Sequence, residues 1–256
     1  MSNNRAIYIV AAGALALAGL VALGAPFSAG DRVAVFGPGE SDFGADVAAR
    51  MQLSWNLAHP GEPVDFFDAT YRRDTLKDGF RRWATDVASV RPTHVLSLFG
   101  EAPGSAGFAE DLCLFVLKAR SEGAKPMVAL PAKGADVVRL VAREESVPVV
   151  DMSQLLAKGR GDAPAGARAA YDGLVECERT LGVYNDMRFA AGEHGMYLGD
   201  NVPDLSPTTE AWGWWLGADS SRSSNTVVRW DALYGHEKEW RSRRDSCRAE
   251  LREKTK

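Results

Sequence analysis

RVAVFG, residues 32–37, sets four consecutive apolar residues between an arginine and a glycine. Runs of the same kind recur as PVDFFD at 63–68, HVLSLFG at 94–100, PMVALP at 126–131 and VPVVDM at 147–152. Each is short, rich in β-branched or aromatic residues and nearly continuous in apolar character, as expected of strands covered on both faces. The longer amphipathic stretches between them, over 45–57, 76–90, 109–122 and 135–145, predict helices. This alternation predicts an α/β fold with a five-stranded parallel sheet flanked by helices.

On the N-terminal side, residues 6–30 read AIYIVAAGALALAGLVALGAPFSAG and carry no charge. As a helix this run spans about 36 Å, enough to cross a bilayer. Residues 1–30 are therefore read as a membrane anchor, with the lipid bilayer as its partner. Arg5 is the only charge before the run, which favours a cytoplasmic N-terminus and a domain on the exported side, periplasmic or extracellular. Small residues near Gly24, Ala25 and Ala29 leave a cleaved signal peptide as the alternative.

On the C-terminal side, the domain extends over 31–222. Residues 158–200, rich in Gly, Ala, Asp and Arg, read as an insertion packed over it, with a short helix near 171–181. Ser206 can cap a last domain helix whose first turn holds Pro207; it carries Trp212, Trp214 and Trp215, read as packing on the sheet and the insertion, with a contact surface as the alternative. A Ser-rich linker follows at 217–225. Residues 227–256 then hold nine Lys or Arg against six Asp or Glu and read as a charged helix with a solvated face.

The composition, 46% hydrophobic and 25% charged with a formal charge of −4, is that of an ordinary globular protein and gives no reason to expect a nucleic-acid partner. Cys113, Cys177 and Cys247 lack Cys-x-x-Cys spacing, so neither a metal site nor any cofactor is expected. Cys113 reads as core filling, and an exported location would permit Cys177 to pair with Cys247.

Four phrases beside the strands carry more than fold information. They are Gly37-Pro38-Gly39-Glu40-Ser41 after the first strand, Asp68-Ala69-Thr70-Tyr71-Arg72-Arg73 at the second, Gly100-Glu101-Ala102-Pro103 after the third, and Asn201-Val202-Pro203-Asp204-Leu205-Ser206-Pro207 near the end. In this order they resemble the SGNH (GDSL-type) esterase and acyltransferase family over about residues 31–219. The resemblance implies a flavodoxin-like sheet with its active site at the C-terminal strand ends. There a serine attacks an acyl carbon, a histidine oriented by an aspartate takes its proton, and a glycine and an asparagine hold the oxyanion.

Measured against that pattern, Ser41 is the surviving nucleophile candidate, and only at a two-residue shift. No glycine follows the second strand, where Arg72 and Arg73 stand. Ala102 replaces the oxyanion asparagine, Asn201 replaces the aspartate and Asp204 the histidine. The remaining histidines, His59, His94, His194 and His236, lie outside the family's position. The expectation is thus a pseudoenzyme: a non-catalytic, membrane-anchored SGNH-like subunit with a structural or scaffolding role beside protein partners in a membrane complex. One alternative is an exported esterase or O-acyltransferase acting on polysaccharide or lipid, with Ser41 as nucleophile and His194 or Asp204 as base. Another is a ligand-binding cleft lined by Ser41, Arg73, Glu101 and Asp204, unless Arg73 pairs internally with Glu101 or Asp204.

Overall fold

The structure, a computed structural model, describes residues 26–38, 43–44, 46–71, 75–100, 107–132, 134–194 and 230–256. Five strands form one sheet: β1 (Arg32–Pro38), β2 (Asp65–Tyr71), β3 (His94–Ser97), β4 (Lys125–Ala129) and β5 (Val149–Val150). Their order is β2-β1-β3-β4-β5, and every pair is parallel. The helices are α1 (Val47–Ala58), α2 (Leu76–Asp86), α3 (Phe108–Ser121), α4 (Ala135–Glu144), α5 (Met152–Leu155), α6 (Ala165–His194) and α7 (Trp230–Lys254). The chain reverses direction across the sheet between β1 and β3, so the loops after these two strands diverge at a switch point of the doubly wound type.

Strand alternation distributes the apolar residues to two cores. Val33 and Val35 of β1, with Phe66 of β2, pack against Met51 and Trp55 of α1 and against α5. Ala34 and Phe36, with Phe67 of β2, pack against Trp83 of α2, Phe115 of α3 and α4. Phe36 lies at the centre of the second core, edge-on to Trp83 at 5.3 Å and to Phe99 at 5.1 Å. The expected parallel sheet with both faces covered is therefore present. The helix expected to run through residue 90 instead ends at Asp86 and tightens into a 3₁₀ turn, Ala88–Val90.

A further layer was not anticipated. The segment read as an insertion with one short helix is, from Ala165 to His194, a single 30-residue helix. The charged segment read as solvated packs against it: Glu237, Arg244, Arg248 and Leu251 of α7 are buried. Leu251 joins Ala167, Ala170 and Leu174 of α6 against Ala49 and Leu53 of α1. This leaves α1 covered on both sides, and nine of its residues are buried, which explains its weak amphipathic contrast.

The α6–α7 pair, with α1, also covers the β2 edge of the sheet. In a parallel edge strand the N–H and C=O of alternate residues point outward. On β2 these groups are met by side chains: Gln52 of α1 donates to Val64 O at 2.7 Å and accepts from Phe66 N at 3.0 Å. Arg248 donates to Phe66 O and pairs with Glu178 of α6. The edge is thereby closed to pairing with another chain. Composition misled about α7 because a charged helix is buried only when partners from distant segments satisfy its charges.

Residues 1–25, with most of the apolar run, lie outside the described residues, as do Trp212, Trp214, Trp215 and the linker. Among the described residues no helix is long and apolar enough to cross a membrane. Two glycine substitutions test the packing. A Cβ on Gly37 would stand 2.6 Å from Leu98 Cβ and 3.3 Å from its backbone, so Gly37→Ala is expected to lose about 1–3 kcal/mol in urea unfolding. A Cβ on Gly182 of α6 meets nothing within 4 Å, so Gly182→Ala is expected to gain about 0.5–1 kcal/mol.

Candidate active site

Because all five strands are parallel, their C-terminal ends share one edge of the sheet, where open α/β folds place their ligands. Pro38, at the end of β1, is in register with Tyr71 at the end of β2, and Phe36 with Ser97 at the end of β3. The loops that carried the family resemblance leave from these points. Ser41, Arg73, Glu101 and Asp204 all lie outside the described residues, as do Arg72, Ala102 and Asn201. The supports of the Ser41 loop are described. Arg50 Nη1 donates to Phe43 O at 2.7 Å. Arg179 of α6 grips Asp46 with two hydrogen bonds, at 2.9 and 2.7 Å. Asp46 itself sits at φ 56°, a left-handed conformation uncommon for a residue with a side chain, so the chain enters α1 through a constrained turn.

Asp68 is the chemically distinctive group at this edge. It alternates with Phe67 along β2 and shares the face of Phe66, the face that α1 covers. One of its carboxylate oxygens accepts from Thr70 N at 2.8 Å and from Thr70 Oγ1 at 2.7 Å. Burial is the main cause that raises its pKa, to about 7; the nearby Glu178 and Asp46 add to the rise, and the Thr70 bonds oppose it. A carboxyl that titrates near neutrality can both accept and release a proton under ordinary conditions. Sequence reading passed over Asp68 because nothing in DATYRR shows that α6 will lie against it. A carboxylate following the two buried aromatic residues Phe66 and Phe67 was the available signal, though Asp65 just before them offers the same one.

Along the same strand, Arg248 is buried with its guanidinium 4.1 Å from the centre of the Phe67 ring, a ring also approached by Arg32 at 4.8 Å and Arg244 at 4.9 Å. Burial lowers the pKa of Arg248 to about 10, and Glu178 works against that loss. On the other side of the strand ends, Arg82 stacks over Tyr71 at 4.5 Å and pairs with Asp86.

The described histidine side chains are elsewhere. His94 begins β3, at the opposite edge, with Nδ1 2.9 Å from Thr93 Oγ1, and burial lowers its pKa. His59 follows α1 and stacks on Trp55 at 4.1 Å. A hollow of about 250 Å³ lined by His59, Glu62, Arg252 and Lys256 also lies at that opposite edge, away from the strand ends. Among the described residues no cluster of His, Cys, Asp or Glu could hold a metal ion.

No protein-family model matches the chain, and no curated protein does. Solved structures do. A lipase/acylhydrolase from Enterococcus faecalis is 19% identical, covering 60% of this chain and 96% of its own with a TM-score of 0.40. An acetyl xylan esterase from Geobacillus stearothermophilus is 14% identical, covering 59% and 82% with a TM-score of 0.42. A lipolytic protein of the G-D-S-L family from Desulfitobacterium hafniense is 19% identical, covering 47% and 77% with a TM-score of 0.37. The order β2-β1-β3-β4-β5 with helices on both faces is that of a doubly wound parallel α/β fold. Against the expectation that the chain is not an enzyme, the structures it is similar to are lipases and esterases, at 14–19% identity and TM-scores of 0.37–0.42. A likeness at this level assigns no activity, which has to be argued from the chain's own residues.

The perturbed carboxyl makes stability depend on pH. The folded-state pKa of Asp68 lies above the unfolded value of 3.8, so between the two the folded state holds a proton that the unfolded state has released. Its contribution is complete below about pH 4 and is lost as pH rises through about 7. Asp68→Asn should therefore be more stable than wild type at pH 8 and lose that advantage by pH 4, measured by urea unfolding across the range.

Proposed function

We propose that the chain is a serine ester hydrolase or O-acyltransferase in which Ser41 attacks the acyl carbon and Asp68 accepts its proton. The single observation that carries this reading is the Asp68 carboxyl, half-ionised near neutrality on the same sheet edge from which the Ser41 loop departs. A group of that acidity takes a hydroxyl proton far more readily than an ordinary aspartate, and a proton acceptor was the element missing from the sequence pattern.

Two further features support it. The first-turn amides of α1, directly after the Ser41 loop, have no side-chain cap, and that turn contains no acidic residue. Their positive end favours negative charge developing on an acyl oxygen, a role that needs no particular side chain. Arg50 and Arg179 hold the loop on its α1 side, which lowers the cost of positioning the nucleophile. In this reaction Ser41 Oγ bonds to the acyl carbon, its proton passes to Asp68, and the alcohol leaves as that proton is returned. Water or an acceptor hydroxyl then takes the acyl group by the reverse sequence.

The uncharged run at 6–30 supports a tether that keeps the domain at a membrane surface on the exported side. Acyl esters of lipid or of exported polysaccharide are the substrate class that such a placement favours.

The test uses the full chain in mild detergent with p-nitrophenyl acetate and a fluorophosphonate probe. The wild type should hydrolyse the ester and take the label, and Ser41→Ala should lose both, with a rate drop of about 10³ or more. Asp68→Asn should lower kcat/KM by about 10² to 10⁴ and remove its rise through about pH 7. An unlabelled wild type, or a label that survives Ser41→Ala, would refute the assignment.

A further inference from the structure

Cys247 of α7 lies against α6 at Gly173 and Cys177, which are one helical turn apart on the same face. A Cβ on Gly173 would stand 3.0 Å from Cys247 Sγ, so the sulfur occupies the notch that the missing side chain leaves. Cys177 lies four residues along α6 from Gly173, the Cys247 thiol beside it raises its pKa, and both thiols are free. Cys177 is fully buried, whereas Cys247 is only half-buried at the margin of the cluster formed by Leu174, Leu251 and Ala170. We propose that these two thiols form a disulfide under oxidising conditions, clasping α7 to α6.

The difference in exposure sets the order of events. Cys247 is the sulfur that an external disulfide R–S–S–R can reach. Its thiolate attacks one sulfur of that reagent, releasing R–S⁻ and forming a mixed disulfide on Cys247. Cys177 then gives up its proton and attacks Cys247 Sγ, displacing the second R–S⁻. Two protein thiols lose two electrons and two protons, and R–S–S–R becomes two R–SH. Burial, reinforced by Cys247 alongside, pushes the Cys177 thiol up to about 12, which makes the second step the slow one.

Cys177 and Cys247 are the chain neighbours of Glu178 and Arg248, the ion pair that closes the β2 edge. The bond would lock that pair in place and close a loop containing residues 201–207, the block that resembles the family's last motif. Cys113, on α3, has no part in it. The clasp stands whether or not the chain hydrolyses esters.

The reduced full chain, in mild detergent, is incubated with oxidised glutathione at pH 8, alkylated and mapped with trypsin without reduction. The expected result is a linked pair of peptides 169–179 and 245–248, with Cys113 alone remaining free. The melting temperature should rise by about 10 °C, the order expected when a loop of this length is closed. Cys113→Ser should show the same link and rise, whereas Cys247→Ser should show neither. Three thiols that stay free, a link through Cys113, or a glutathione adduct that remains on Cys247 would each overturn the proposal.

Discussion

A parallel sheet with β2 at its rim exposes a row of backbone groups on one side, and the molecule is organised around meeting them. Gln52 satisfies Val64 and Phe66 from α1, and Arg248 reaches Phe66 O from α7. Burying a guanidinium there costs several kcal/mol unless an anion accompanies it. Glu178 supplies the anion, and the Phe67 ring supplies a face for the cation to stack on. That requirement fixes α6 and α7 together, and their apolar contact with α1 through Leu174 and Leu251 follows from it.

The same carboxylate links the edge to the site. Glu178 neutralises Arg248 on one side and disfavours the charge of Asp68 on the other. Burial raises the proton affinity of Asp68 most, and Glu178, from the helix that closes the sheet, adds to it. Arg179, the next residue of α6, pairs with Asp46 at the start of α1, so two adjacent residues of one helix adjust a titratable group and brace the loop that leads from Ser41. Stability of the edge and chemistry at the strand ends share these contacts, and a change in the seating of α6 would be felt in both.

The two histidines whose side chains are described lie away from the C-terminal strand ends. His94 is buried at the start of β3, and His59 lies against Trp55 after α1; both are at the N-terminal end of the strands. The absence of a histidine from the family's position was legible in the sequence and suggested loss of catalysis. A strand aspartate whose acidity is set by burial can stand in that role, and its fitness is invisible until the covering helix is placed.

The sequence by itself determined the alternation of elements, the five strands and their burial on both faces, because periodicity and apolar runs are local properties. It also singled out the strand-end phrases and Ser41. Only the tertiary structure decided that residues 165–194 form one continuous helix, that the charged tail is part of the domain, and that Glu178 pairs with Arg248 while acting on Asp68. These residues come from segments far apart in the chain, and their burial, pairing and proton affinity are set by distances in space that no local pattern encodes.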